Sequence, residues 1–406
     1  MNEISKCEVC GNIHLTPVLN LGNHPMCDDL VEVGDPRMCK EYPIEILFCN
    51  VCLTAHQKYQ VPKEELFPKN YHYRSRFTAD VLSGMSSLVD SCESNYGSLK
   101  DKLILDIGCN DGSLLDFFKA KDAITLGIEP TGASEDAKEK GHTVYSEYLT
   151  ESLAEEFVQS HGHPNIITFT NVFAHIEDLD GVLNSLLILS DEYTKIVIEN
   201  HYLGAVLDRN QFDTFYHEHP RTYSYNSFKY MAKTLRINLE NVEFPSRYGG
   251  NIRVFMGKNS NMESSFSPEE LDKKENGFES QFNTLRNNID KWMVTKQKVI
   301  NKLNEEFGKI PAKAFPGRSA ILVKMLNIDE DIISTVYEKP GSLKIDHYVP
   351  GTRIPISSDD DLFSNSDLGK PLLNLAWHIS EEINKYLTNS GYTGKIIDIL
   401  DQEDFT

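Results

Sequence analysis

The segment FDTFYHEHPRTYS, residues 212–224, sets His217, Glu218 and His219 in succession, with Tyr216 before them and Tyr223 close behind. Titratable groups packed this densely cost desolvation free energy unless they pair or do chemistry. Imidazoles beside a carboxylate and a phenol make a proton-handling set, able to take a proton, orient the group that takes it and donate to a developing oxyanion. A second signal is Cys7-x-x-Cys10 in KCEVCGN with Cys49-x-x-Cys52 in LFCNVCLT. Two such turns offer four thiolates that close a tetrahedral shell around zinc; a closed shell leaves no position for water, so the metal is structural. Cys27 and Cys39 lack ligand spacing and read as small packed residues. The third signal is the glycine loop of DKLILDIGCNDGSLLDFF, where Gly108 and Gly112 let the backbone turn sharply and bring N–H groups close to a ligand.

Periodicity gives the elements that must position these groups. LILDI is a short apolar run that enters the glycine turn, and Leu114, Leu115 and Phe118 then recur at helical intervals: strand, loop, helix. A second apolar stretch, AITLGIEPTG, ends in Glu129, placed to accept hydrogen bonds from two ribose hydroxyls. This is the nucleotide half of a doubly wound α/β sheet. The loop is not G-x-G-x-x-G; Asp106 precedes it and Asp111 lies inside it. An acid at that turn disfavours a pyrophosphate but suits the cationic methionyl group of S-adenosylmethionine. Asp106 is therefore expected to orient the loop, Gly108 and Asn110 to approach the methionine moiety with Gly112 closing the turn, and Glu129 to take the ribose. IITFTNVFAHIED repeats the unit, adding Asn171 to the cofactor side and His175 beyond the strand, and TKIVIEN runs through Asn200 toward the histidine-rich segment. Both histidine sites thus lie past carboxyl ends of sheet strands, where open α/β sheets bind ligands.

At 406 residues the chain exceeds one hydrophobic core, and three domains are expected. The net charge of −21, from 61 Asp and Glu against 40 Lys and Arg, argues against a nucleic-acid partner, which needs a basic surface. The N-terminus has no signal-peptide pattern and no run approaches a membrane span, so a cytoplasmic protein without a membrane partner is expected. From about residue 267 to 307, Phe278, Phe282, Leu285, Ile289, Trp292 and Met293 recur every three or four residues and predict one long amphipathic helix. SAILVKML, IISTVYEK and KIIDILD then suggest a second, smaller α/β unit.

Taken in order, the paired C-x-x-C turns, LDIGCNDGSLL, NVFAHIED, YHEH, RYGGNIRVF, YVPGTRIPI and LLNLAWHI are similar to the nucleotide-sugar C-methyltransferases, which act at C-3′ of nucleotide-linked 4-keto-6-deoxyhexoses. The resemblance covers nearly the whole chain. It implies a zinc-binding domain over 1–70, a class I methyltransferase domain with a Rossmann-like sheet binding S-adenosylmethionine over 71–265, and a C-terminal Rossmann-like domain over 266–406. It places the family's catalytic Tyr, Glu and His on Tyr216, Glu218 and His219, with His175 as a further active-site histidine. The aromatic that lines the sugar pocket falls on Tyr71, with Tyr73 as the alternative, and Asn200 and Arg253 are assigned to the substrate side. The implied partner is a nucleotide diphosphate 4-keto sugar, bound by a monomer or weak homo-oligomer. Where relatives carry a glycine-rich turn like YGAPAKG, this chain has KIPAKAFPGRSAILV, which leaves the nucleotide and the sugar open. His219 is read as the base, Glu218 as its orienter or a partner for a sugar hydroxyl, and Tyr216 as donor to the enolate oxygen, although Tyr and His can exchange these roles with no change visible in sequence. An RNA or protein methyltransferase and a non-catalytic binding protein of the same fold are the alternatives.

Overall fold

Runs rich in Ile, Leu and Val, flanked by turn residues, become buried strands because both of their faces can be covered. In the computed structural model, which describes residues 1–66, 74, 76, 79–258, 266–365 and 367–405, seven strands form one sheet. They are β1 (Leu103–Ile107), β2 (Ile124–Ile128), β3 (Thr143–Tyr145), β4 (Ile166–Thr170), β5 (Lys195–His201), β6 (Asn238–Glu243) and β7 (Asn251–Gly257). Their spatial order is β3-β2-β1-β4-β5-β7-β6. β1 to β5 pair in parallel, and β7 runs antiparallel to both β5 and β6. The chain winds from β1 outward to β3 on one side and from β4 to β5 on the other, so the strand order reverses between β1 and β4. That reversal opens the ligand crevice of a doubly wound sheet, and the glycine loop and the His175 turn follow these two strands directly.

On one face, Ile104, Ile166, Val197 and Phe255 pack against Val81, Met85, Leu88 and Cys92 of α1 (Ala79–Tyr96) and Leu114 and Phe118 of α2 (Ser113–Lys119). The alternate residues Leu105, Ile167 and Ile198 are buried on the other face. After the His175 turn, Asp178 caps α3 (Leu179–Leu189), its side chain accepting from the Gly181 N–H. Ser224 closes the histidine-rich segment with a capping box on Ser227 at the start of α4 (Tyr225–Thr234).

The chain groups into two compact units, the first holding 1–17, 47–206 and 218–279 and the second 18–46, 207–217 and 280–406. In the second unit, β8 (Ile310–Lys313), β9 (Ile333–Glu338), β10 (Ile356–Ser358), β11 (Leu372–Asn374) and β12 (Ile396–Asp398) form a parallel sheet in the order β10-β9-β8-β11-β12. The segment between the two C-x-x-C turns belongs to this unit: Val31–Glu32 pairs antiparallel with His347–Tyr348, and Arg353 donates to the carbonyls of Asp35, Pro36 and Arg37. The long helix predicted over 267–307 is two. Ser267 and Pro268 start Pro268–Glu275, the chain breaks at Asn276 and Gly277, and α5 (Phe278–Phe307) follows. Phe282, Leu285, Ile289 and Trp292 of α5 are buried as its periodicity requires, with the Trp292 indole donating to the Ile399 carbonyl at 2.9 Å.

Candidate active site

In the first unit the sulfur atoms of Cys7, Cys10, Cys49 and Cys52 all lie within 4.8 Å of one another. Cys7 and Cys52 are 3.4 Å apart and Cys10 and Cys49 3.5 Å. A disulfide would need about 2.05 Å, whereas sulfurs on a tetrahedron of about 2.3 Å metal bonds stand at this kind of separation. The Cys10 N–H donates to Cys7 Sγ and the Asn12 amide to Cys49 Sγ, both at 3.5 Å, while Thr54 Oγ1 lies 3.1 Å from Cys52 Sγ and His56 Nε2 3.3 Å from Cys7 Sγ. Donors around the sulfurs favour thiolates, which is what zinc needs. The residues fit that ion, and Cys27 and Cys39 stand outside the group.

The glycine loop is shaped by necessity. Gly108 has φ 73° and a Cβ there would stand 2.5 Å from Val172 Cγ2; Gly112, at φ 74°, opens α2. Asn110 also takes the left-handed region, at φ 49°. Its N–H donates to Glu129 Oε2 at 3.0 Å, and Thr131 gives its N–H and hydroxyl to Oε1 at 2.8 and 2.6 Å, so Glu129 ties the ends of β1 and β2 together at the place expected for the ribose. Asp106 accepts from Thr168 Oγ1 at 2.7 Å, and burial, with the charge of Glu129 adding to it, pushes its carboxyl up to about 7. A cation brought to this loop meets acidic groups short of positive charge. Asp111 does not share that task. Its carboxylate, fully buried, accepts from the Ser113 N–H and hydroxyl at the start of α2 and from the Arg76 N–H. Asn171, at φ 56°, donates its N–H to the Glu199 carbonyl and accepts from the Asn251 amide through Oδ1.

The His175 turn and the histidine-rich segment come together. His175 Nδ1–H donates to the Glu218 carbonyl at 2.8 Å, which leaves Nε2 as its acceptor nitrogen. Burial pushes its imidazole down to about 4, so it is neutral through the physiological range. Its ring centroid lies 4.7 Å from that of His219, and His201, at the end of β5, lies 5.2 Å from His219. Three imidazoles thus line the carboxyl edge of β4 and β5, with Glu218 buried beside them. His201 is not among the residues expected from sequence; the only clue is its place at the end of a core strand. His217 has another role, its Nε2–H donating to the Tyr42 carbonyl at 3.1 Å within the second unit, where burial also pushes it down to about 4. Tyr216 is half-buried. Tyr71 and Tyr73 lie outside the described residues.

Next to this edge, Glu199 accepts from Arg253 Nε at 2.7 Å, Asn251 Nδ2 at 2.9 Å and Arg247 Nη1 at 3.1 Å. Arg253, expected on the substrate side, is 1 % exposed and commits its Nη1 to Glu243 and Ser91 as well, so it binds β5 to β7. Asn200 is also 1 % exposed, yet neither atom of its side-chain amide has a hydrogen-bond partner among the described residues. A buried amide left unsatisfied is costly, which suits a group that completes its bonds on a ligand.

Fold and site together define a class I methyltransferase carrying a four-thiolate zinc module. Family models described as "Putative zinc binding domain", "Methyltransferase domain" and "C-methyltransferase C-terminal domain" match residues 7–67, 73–243 and 246–397. The C-methyltransferase NovU of Streptomyces niveus is 26% identical over 254 residues, 62% of this chain and 60% of that protein. The magnesium protoporphyrin IX methyltransferase of Synechocystis PCC 6803 with bound S-adenosylmethionine aligns at 13% identity over 44% of this chain and 80% of its own, with a TM-score of 0.34. A SAM-dependent methyltransferase from Anabaena variabilis aligns at 14% identity over 44% and 86%, with a TM-score of 0.36. The chain is similar to C-methyltransferases over these three matched regions and spans about 60% of the length of the relative it matches, and its cofactors are S-adenosylmethionine and zinc.

Proposed function

We propose that this chain transfers a methyl group to C-3 of a nucleotide-linked 4-keto-deoxy sugar. The observation that carries the reading is the cluster of His175, His201 and His219, with Glu218, at the carboxyl edge of β4 and β5, next to the strand that carries the glycine loop. Carbon methylation needs a carbanion equivalent, and in a 4-keto sugar the carbonyl acidifies the C-3 proton enough for an imidazole to remove it. S-adenosylmethionine supplies the electrophilic methyl group. His219 takes the C-3 proton. Glu218 fixes the segment through its carbonyl, which receives the His175 N–H, and its carboxylate is assigned to a sugar hydroxyl. Tyr216 donates to the oxygen that becomes the enolate, and Asn200 supplies an unspent amide to the same ring. Asp106 and Glu129 hold the cofactor end of the crevice.

The relative's printed activity supports carbon as the acceptor atom, and the strongly acidic balance supports a small-molecule acceptor over RNA. The test is incubation with S-adenosylmethionine and a panel of TDP-, GDP- and CDP-linked 4-keto sugars, read by mass spectrometry. A gain of one methylene on one of them is the expected result; methylation confined to RNA, protein or a sugar oxygen would remove the reading.

A further inference from the structure

The metal module and the histidine cluster meet through one buried side chain. Arg221, two residues after His219, is fully buried in the first unit. Its Nη1 donates to Glu8 Oε2 at 2.6 Å, its Nε to the Tyr223 hydroxyl at 3.0 Å, and its Nη2 to the carbonyls of Ile176 and, at 3.3 Å, Glu177. Those carbonyls belong to the two residues that follow His175. Glu8 stands between Cys7 and Cys10, accepts from the Gln60 amide at 2.8 Å and lies 3.6 Å from His56 Nδ1, while the other nitrogen of that ring lies against Cys7 Sγ. The backbone follows the same route. Arg221–Thr222 pairs antiparallel with Ala55–His56, and the Gln57 N–H donates to the Pro220 carbonyl at 2.8 Å. The Tyr223 hydroxyl adds a bond at 3.5 Å to the carbonyl of Phe173, at the start of the His175 turn.

We infer that Arg221 is a positioning residue and that, through Glu8, the zinc module sets the separation of His175 and His219. A guanidinium is suited to this because its planar fork reaches a carboxylate and two carbonyls at once without losing its charge. Burying it is costly unless its donors are matched, and here the matches are the metal-bearing turn on one side and the turn that carries His175 on the other. The four-thiolate shell thus does more than hold its own fold. It is the fixed end of a brace whose free end is a catalytic turn. A 1 Å error in such placement can cost on the order of 100-fold in rate.

The catalytic part of this inference rests on the function proposed above; the structural part does not, and the test separates them. On the zinc-loaded, full-length protein, amide hydrogen exchange followed by mass spectrometry compares wild type with Arg221→Gln, and with Glu8→Gln should the first variant fail to fold. Faster exchange in peptides covering 173–180 and 216–223, with the glycine loop over 104–116 unchanged and zinc content retained, is the expected result. Unchanged exchange at the two histidine turns overturns the inference whatever the substrate. With a sugar that wild type methylates, kcat should fall about 10- to 100-fold while the dissociation constant for S-adenosylmethionine stays put, and Arg221→Lys, which keeps the charge but not the fork, should recover only part of it. Loosened turns with undiminished kcat would overturn the positioning role. A wild-type protein that methylates none of the sugars removes the proposed function and leaves the brace to be judged by hydrogen exchange alone.

Discussion

At the scale of single residues the site separates proton chemistry from cofactor electrostatics. The His219 ring centroid stands 4.7 Å from that of His175 and 5.2 Å from that of His201, and His219→Ala is expected to abolish exchange of the substrate C-3 proton with solvent deuterium, measured by NMR, while calorimetry shows S-adenosylmethionine still bound. Undiminished exchange in that variant would take His219 out of the role of base. Asp106 gives a pH dependence with a definite sign. Its carboxyl is pushed up to about 7, and a cationic ligand favours the ionised form, so affinity for S-adenosylmethionine should strengthen from about pH 6 to about pH 8, and Asp106→Asn should flatten that slope. Glu129→Ala removes three accepted bonds at the β1 and β2 ends and should weaken cofactor binding by about 1–3 kcal/mol. Residue types alone announce the four cysteines and the YHEH segment, because each is a dense or spaced signal, whereas His175, a lone histidine, is singled out by the family resemblance. Residue types do not announce His201, a lone imidazole at a strand end, nor that Asp111 is spent on Ser113 and the Arg76 N–H, nor that His217 bonds a carbonyl away from the cluster. Those outcomes depend on which way a side chain faces, and inside an irregular segment no periodicity fixes that.

At the scale of elements the glycine loop and the strands around it are legible, because apolar runs ending in Gly-containing turns have few alternative readings. Gly108 is the tightest point of that design. With φ at 73° and Val172 Cγ2 2.5 Å from where an alanine methyl group would stand, Gly108→Ala should destabilise the fold by roughly 1–3 kcal/mol and weaken cofactor binding, read by thermal unfolding and calorimetry; full retention of both would mean the loop is not held in this shape. The helix over 267–307 shows the limit of periodicity. Apolar spacing continues in phase across Asn276 and Gly277, and only the backbone shows that the helix stops there. Arg253 adds a similar case: its carboxylate partners, Glu199 from β5 and Glu243 from β6, come from strands that sequence spacing does not bring together.

At the scale of the whole molecule, stability should depend on pH through groups that burial keeps neutral. His175 and His217 are each pushed down from 6.5 to about 4 by burial. The unfolded chain therefore takes up their protons first, and the stability they allow is present above about 6.5 and lost as pH falls toward 4. Asp106 works in the opposite direction: raised from 3.8 to about 7, it withdraws stability as pH climbs between those values. Thermal unfolding of the protein without cofactor should accordingly weaken on both sides of an intermediate pH, and His217→Gln, which keeps an amide for the Tyr42 carbonyl, should lessen the acid limb. A profile with an unchanged acid limb would remove His217 from the account.

One consequence reaches past the site. The four sulfurs gather from positions as much as 45 residues apart, and the stretch between the two pairs folds with the C-terminal sheet. A bound ion therefore fastens a covalent ring that includes strands from both halves of the architecture, and loop closure of that length is entropically significant for the unfolded chain. Stripping the ion should be felt in the melting of the C-terminal sheet, far along the chain from any cysteine that held it.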